Sequence, residues 1–252
     1  MNGPQAERFL RARFRAAGSA EDARWQKAYM KSALDFHGVS SAEVRDAARA
    51  LLGTDGGLDG ASMRAIVDYL SRSGWFDVRS AGLAMLERQA KSLGPGDLPW
   101  LIDLVRRGGC WAHVDGLATN VVGAIVTAHP KTLSLLPRWA RDDDFWVRRT
   151  ALLAQERELK RGRGDFALFE RIAAPMLEEK EFFVRKAIGW VLRETSKLRP
   201  ELAYRFLAAN RARVSGLTLR EGAKYLPGKM RAALGLSARG SRRSAVDRGA
   251  SR

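Results

Sequence analysis

The 252-residue sequence holds a single cysteine, Cys110, and only three histidines, His37, His113 and His129, all far apart along the chain. One cysteine excludes an intramolecular disulfide and any metal cluster built from cysteines, and a reducing, cytoplasmic setting is expected. Long apolar runs are missing as well. Nothing approaches the roughly 18 consecutive apolar residues of a membrane span, and the stretch from Met1 to Arg15 carries charges where a secretory signal needs an apolar core. Sustained alternation with a period of two is absent, which argues against strands. Acidic residues are scarce beside basic ones: 28 Asp and Glu against 44 Lys and Arg give a net charge of +16. A field of that sign favours polyanionic partners, nucleic acid first and an acidic membrane or protein second.

What the sequence does have is helical periodicity. Apolar residues recur at three- and four-residue spacing, as at Ala151, Leu152, Ala154 and Leu159. The breaks are short: Gly53 to Gly60, Gly94 to Gly96, Arg107 to Gly109, Arg141 to Asp144, Gly162 to Gly164, and Pro227 with Gly228. Many short helices joined by tight turns are expected. Val-Arg recurs at Val44-Arg45, Val78-Arg79, Val147-Arg148 and Val184-Arg185, with Val114-Asp115 between them; successive valines are 34, 36, 33 and 37 residues apart. Small residues follow (Ala47, Ala81, Thr150, Ala187) and aromatic residues often precede (Phe76, Phe145, Trp146, Phe182, Phe183). A repeat of this length fits a pair of antiparallel helices that buries its apolar face only by stacking on the next pair. The expected fold is an all-α solenoid of HEAT-like repeats over residues 1–236, with a concave basic face that binds DNA. Residues 237–252, with five arginines and few apolar groups, are expected to form a disordered basic tail, either adding phosphate attraction or neutral in effect.

The repeat exposes one anomaly. Where the other repeats carry Arg45, Arg79, Arg148 and Arg185, the third carries Asp115. A carboxylate in a row suited to phosphate needs a reason, either a salt-bridge or helix-start role or a chemical one. Trp111, four residues earlier, shares its helical face. Lys186, Trp190 and Arg193 share another. Tryptophans at such spacing are commonly core, and Trp25, Trp75, Trp100 and Trp139 are read as packing residues. One carboxylate, flat aromatic walls and a basic rim suit cleavage of an N-glycosidic bond. The sugar gains oxocarbenium-like charge as the base departs, and a fixed aspartate stabilises that charge and orients water. An alkylated base that is already cationic leaves without a general acid.

At these residues the chain resembles the AlkD-like DNA alkylation-repair glycosylases. The segments that carry the resemblance are YMKSALDFHGV (Tyr29 to Val39), CWAHVDGLA (Cys110 to Ala118), FWVRRTALLAQ (Phe145 to Gln155) and FFVRKAIGWVLRETSK (Phe182 to Lys197), spanning the chain to about residue 235. The resemblance implies that Asp115 is the catalytic aspartate flanked by Trp111 and Trp190. It implies that Arg149 contacts phosphate, that Tyr29 lines the cleft, and that Arg157, Lys186 and Arg193 are basic positions on the DNA-facing surface. It further implies removal of N3- and N7-alkylated purines such as 3-methyladenine and 7-methylguanine from duplex DNA, without metal or cofactor and without extrusion of the lesion into a pocket. The expected enzyme is a monofunctional glycosylase: a monomer, near the nucleoid, with no membrane partner. Cys110 and Ala112 depart from the pattern, where a further tryptophan and a polar residue are expected. The alternative is a noncatalytic HEAT-like protein that binds DNA or senses damage; a scaffold for an acidic protein is a third reading.

Overall fold

The computed structural model describes residues 1–53 and 59–236, so the tail expected at 237–252 lies outside the described residues, as does part of the Gly53–Gly60 break. The helices are α1 (Gly3–Ala17), α2 (Ala20–Met30), α3 (Ser41–Leu52), α4 (Gly60–Leu70), α5 (Phe76–Arg88), α6 (Leu98–Arg107), α7 (Trp111–Gly116), α8 (Gly123–Ala128) and α9 (Leu136–Trp139). They continue as α10 (Phe145–Leu153), α11 (Glu156–Lys160), α12 (Phe166–Ala173), α13 (Phe182–Thr195), α14 (Pro200–Ala209), α15 (Gly216–Gly222) and α16 (Gly228–Ala233). Among the described residues there is no strand, only an isolated bridge between Asp35 and Trp75.

Local chemistry sets the helix starts. Ser40 and Glu43 form a reciprocal capping box at α3. Asp144 accepts from the backbone N–H groups of Trp146 and Val147 at α10, and Asp165 and Ser215 cap α12 and α15. Gly109, Gly162 and Gly164 take positive φ in the turns before α7 and α12, a backbone region that excludes most side chains.

The helices that begin with the Val-Arg register, α3, α5, α7, α10 and α13, pack in sequence against one another, and α15 continues the row. Val44, Val78, Val114, Val147 and Val184 are all buried, as are Ala47, Ala81, Thr150 and Ala187. The repeat is therefore the core. The expected all-α stack of helical repeats is the architecture found.

Three of the register's arginines, Arg79, Arg148 and Arg185, turn back to their own turns. Arg79 donates from Nε to the Ser73 carbonyl at 2.6 Å. Arg148 donates from Nη1 to the carbonyls of Asp142 and Asp143 at 2.7 and 2.8 Å, and Arg185 donates to that of Lys180 at 2.7 Å. Each guanidinium satisfies carbonyls that its inter-helix turn leaves unpaired. Arg148 also pairs with Glu179 at 2.9 Å. Arg148→Ala should thus lower stability by about 1–3 kcal/mol while leaving DNA affinity close to wild type. Thermal unfolding beside a duplex-binding titration checks this, and a selective loss of binding would overturn the structural role.

Candidate functional site

Asp115 is the fifth residue of α7, and after Gly116 the chain widens into a π-helical stretch, Leu117–Val122, before α8. The Thr119 hydroxyl donates to the Asp115 carbonyl at 2.7 Å, steadying this junction. π-Turns inside helices are uncommon and often mark functional positions.

The Asp115 carboxylate meets the Arg149 guanidinium of α10 in a two-point fork, Nε to Oδ1 at 2.6 Å and Nη2 to Oδ2 at 2.8 Å. Such paired, charge-assisted bonds fix both side chains in one orientation. Arg149 is almost wholly buried, at 3% exposure. Its Nη1 donates to the Phe183 carbonyl at the start of α13, and its guanidinium carbon lies 5.9 Å from both the Phe183 and Trp190 rings. Expected at a phosphate, Arg149 is placed by the structure on the aspartate instead. Burial pushes the Asp115 carboxyl above the usual aspartate range; the hydrogen bonds and charge of Arg149 oppose this without cancelling it.

Tyr29, Trp111, Asp115, Arg149, Phe182, Phe183, Lys186, Trp190 and Arg193 line one cleft of about 360 Å³. Eight of the expected positions are Asp115, Trp111, Trp190, Tyr29, Arg149, Lys186, Arg193 and Arg157, and the first seven converge here. Arg157 sits exposed on α11 and does not line the cleft. Tyr29 and Phe182 are more than half exposed, so the rim is open to solvent.

The neighbours of Asp115 add no nucleophile. His113 points into the core, shares a hydrogen bond with the Ser80 hydroxyl at 2.9 Å, and is pushed down to about 4 by burial, with the charge of Arg79 adding to the effect. Cys110 is buried, and its thiol is raised by that burial.

Three features lay beyond the sequence reading. Phe182 and Phe183 complete the aromatic wall; their place before Val184 signalled only the repeat. Glu221 of α15 accepts from Lys186 Nζ at 2.5 Å and also pairs with Arg193. Its burial raises its carboxyl, but the hydrogen bond from Lys186 and the charges of Arg193, Lys186 and Lys224 outweigh that and hold it below the usual range. Arg193 reaches Glu194 as well, at 3.0 Å. Trp25, read as packing, is 65% exposed and stacks on Tyr29, with ring centroids 5.3 Å apart and planes within 6°. By contrast Trp139 is buried, and Trp75 and Trp100 pack under Arg11 and Arg64.

Among the described residues no group of three or more His, Cys, Asp or Glu is placed to hold a metal ion, and no helix is long and apolar enough to cross a membrane.

The fold is that of a helical-repeat protein, and its family is one of DNA repair. The chain belongs to the family described as DNA alkylation repair enzyme, whose model matches residues 10–226. Its structure is similar to that of a predicted DNA alkylation repair enzyme from Enterococcus faecalis, at 23% identity and a TM-score of 0.74, covering 83% of this chain and 97% of the other. It is also similar to AlkD2 from Streptococcus mutans, at 19% identity and a TM-score of 0.58, covering 74% and 90% of the two chains. A further match is smu.31 from Streptococcus mutans UA159, at 19% identity and a TM-score of 0.58, covering 82% and 98%. At these identities the likeness establishes the fold. No curated protein matches the chain.

Removing Arg149 isolates the buried carboxylate. Arg149→Ala should cost about 3 kcal/mol near neutral pH. Without the guanidinium, the folded-state pKa of Asp115 rises further above its unfolded value. The cost is then full where both states are ionised and shrinks as pH falls through the raised folded-state value, because the folded carboxyl takes up a proton. Urea unfolding at about pH 7 and about pH 4 should show the gap to wild type narrowing in acid; an unchanged gap would mean the loss comes from packing alone.

Proposed function

We propose that this chain is a monofunctional DNA glycosylase that hydrolyses the N-glycosidic bond of cationic N3- and N7-alkylated purines, 3-methyladenine and 7-methylguanine among them, in duplex DNA. The observation that carries the reading is the position of Asp115, a partly buried carboxylate fixed by Arg149 in a cleft walled by Trp111, Trp190 and Phe183.

Each carboxylate oxygen has a lone-pair direction beyond the one Arg149 occupies. Asp115 keeps 13% side-chain exposure, so part of it faces the cleft. As the cationic base departs, taking the bonding electrons and becoming neutral, positive charge passes to the deoxyribose, where a fixed anion and the π faces of Trp111 and Trp190 stabilise it. Water held by Asp115 adds to C1′ and gives up its proton to the Asp115 carboxylate and thence to solvent, leaving an abasic sugar. Lys186 and Arg193, with Tyr29 at the rim, are assigned to the flanking phosphates and sugar, which they reach by exchanging part of their contact with Glu221. Arg157 on α11 is assigned to the backbone farther out. The enzyme is assigned as a monomer, and its substrate places it with the nucleoid in the cytoplasm. The noncatalytic DNA-binding alternative shares these cations and gives Asp115 only its structural pairing with Arg149, leaving its cleft-facing side without a task.

Wild-type protein should release 7-methylguanine from methylated duplex DNA without added metal. Asp115→Asn should reduce release by roughly 100-fold or more while duplex affinity holds or rises. Chromatography of the freed bases together with a binding titration reads both; an inactive wild type that still binds duplex would select the noncatalytic alternative. The ammonium of Lys186, held against Glu221 at 2.5 Å, is a poor amine nucleophile. Borohydride should therefore trap no covalent adduct with an abasic duplex and the strand should stay uncut, whereas a trapped adduct would make the enzyme bifunctional.

A further inference from the structure

Trp25 and Tyr29 stand one helical turn apart on α2 and separate two hollows. Tyr29 lines the Asp115 cleft. Trp25 lines a second groove, about 300 Å³, between α2, α3 and α5, together with Phe36, Val44, Arg45, Phe76 and Leu83. The stacked pair continues the aromatic wall, since the Tyr29 ring also meets Trp111 edge-on at 6.1 Å. One face of the Trp25 indole rests on Tyr29; at 65% exposure much of the rest meets solvent.

Arg45 is the odd member of its register. Arg79, Arg148 and Arg185 are tied to turn carbonyls. Arg45 is exposed at the groove and makes no hydrogen bond or ion pair among the described residues. Of the groove's carboxylates, Asp77 is taken by the backbone N–H of His37 at 2.6 Å, and Glu87 accepts from Asn120 through Oε1, leaving Oε2 for another donor. A free indole face, an uncommitted guanidinium and an acceptor in one hollow match the parts of a nucleotide: the flat base, its phosphate and its amino edge.

We propose that this groove is a second nucleotide-binding subsite, in which an unstacked base lies on Trp25, its phosphate meets Arg45 and its amino edge donates to Glu87. The inference rests on the DNA reading of the neighbouring cleft. The base comes either from the strand opposite the lesion or from a nucleotide beside it. Loss of stacking around a damaged pair makes either one available.

The test uses duplexes with a tetrahydrofuran abasic analogue and the fluorescent base 2-aminopurine placed opposite it, 5′ to it or 3′ to it. Wild-type protein should quench 2-aminopurine at one of these positions, and the position identifies the source strand. Trp25→Ala should abolish the quench and weaken binding roughly tenfold; Trp25→Phe, which keeps a ring on Tyr29, should retain it in part. Arg45→Ala should weaken binding and reduce the salt slope by about one. Wild-type binding without a quench at any position, or a quench indifferent to Trp25→Ala, overturns the subsite while leaving the glycosylase reading in place. Failure of the wild type to bind any of these duplexes overturns the DNA reading and the subsite with it.

Discussion

The pair between Asp115 and Arg149 constrains much else in the molecule. A carboxylate removed from water strongly disfavours its own charge, and a buried guanidinium without a partner does the same. Held at 2.6 and 2.8 Å, the two make each other tolerable. The pair joins α7 to α10, and the Arg149 bond to the Phe183 carbonyl ties both to the first turn of α13. Three successive repeats are thus pinned at one point. The walls of the cleft, Trp111 on the first helix and Trp190 on the third, are set by the same linkage that orients the carboxylate. Buried ion pairs add little net stability compared with apolar packing; what this one supplies is a fixed geometry for a group that, in the proposed reaction, remains an anion beside a forming cation.

The repeat provides the means. Polar links between adjacent repeats recur at similar sequence separations: Ser80 with His113, Glu87 with Asn120, Asp115 with Arg149 and Lys186 with Glu221, separated by 33, 33, 34 and 35 residues. Each crosses the same kind of helix–helix seam. Arg79, Arg148 and Arg185 hold their own turns together, and the following positions (Ser80, Arg149, Lys186) reach toward neighbouring repeats. Replacing the register arginine by Asp115 reverses the sign at one seam and leaves Arg149 a partner. The site is a local change of polarity in a structural device used along the whole chain.

How far the sequence revealed this depends on whether a residue's role is set by its own repeat or by a distant one. Asp115 broke a register and Trp111 stood four residues before it, so both were visible as pattern. The core valines and the Gly-rich breaks were visible for the same reason. The partner of Arg149 was not, because a contact spanning 34 residues depends on how two helices stack. Glu221 lies in an α15 that lacks the Val-Arg signature, so nothing marked it as the acceptor for Lys186. Trp25 carried a misleading signal. A tryptophan at helical spacing is usually buried, yet no residue of α2 is buried, and that follows from how the helix seats on its neighbours rather than from its composition.

The electrostatics of the cleft differ from what the net charge of +16 suggests. Its three cations, Arg149, Lys186 and Arg193, are met by Asp115, Glu221 and Glu194. Glu194 is shared with Lys160 and Lys197, so the positive charge of the cleft is largely compensated and most of the excess lies outside it. For the proposed chemistry this division has a physical logic. A uniformly cationic cleft would bind DNA more tightly but would repel an alkylated base that already carries positive charge, and would oppose the further positive charge that develops on the sugar. Paired cations attract little at a distance but remain able to exchange a carboxylate for a phosphate at contact. Long-range attraction then falls to the unpaired lysines and arginines elsewhere on the surface, while the cleft keeps a net field that a cation can enter. Glu221, absent from any sequence signature, contributes to this balance as directly as Asp115 does.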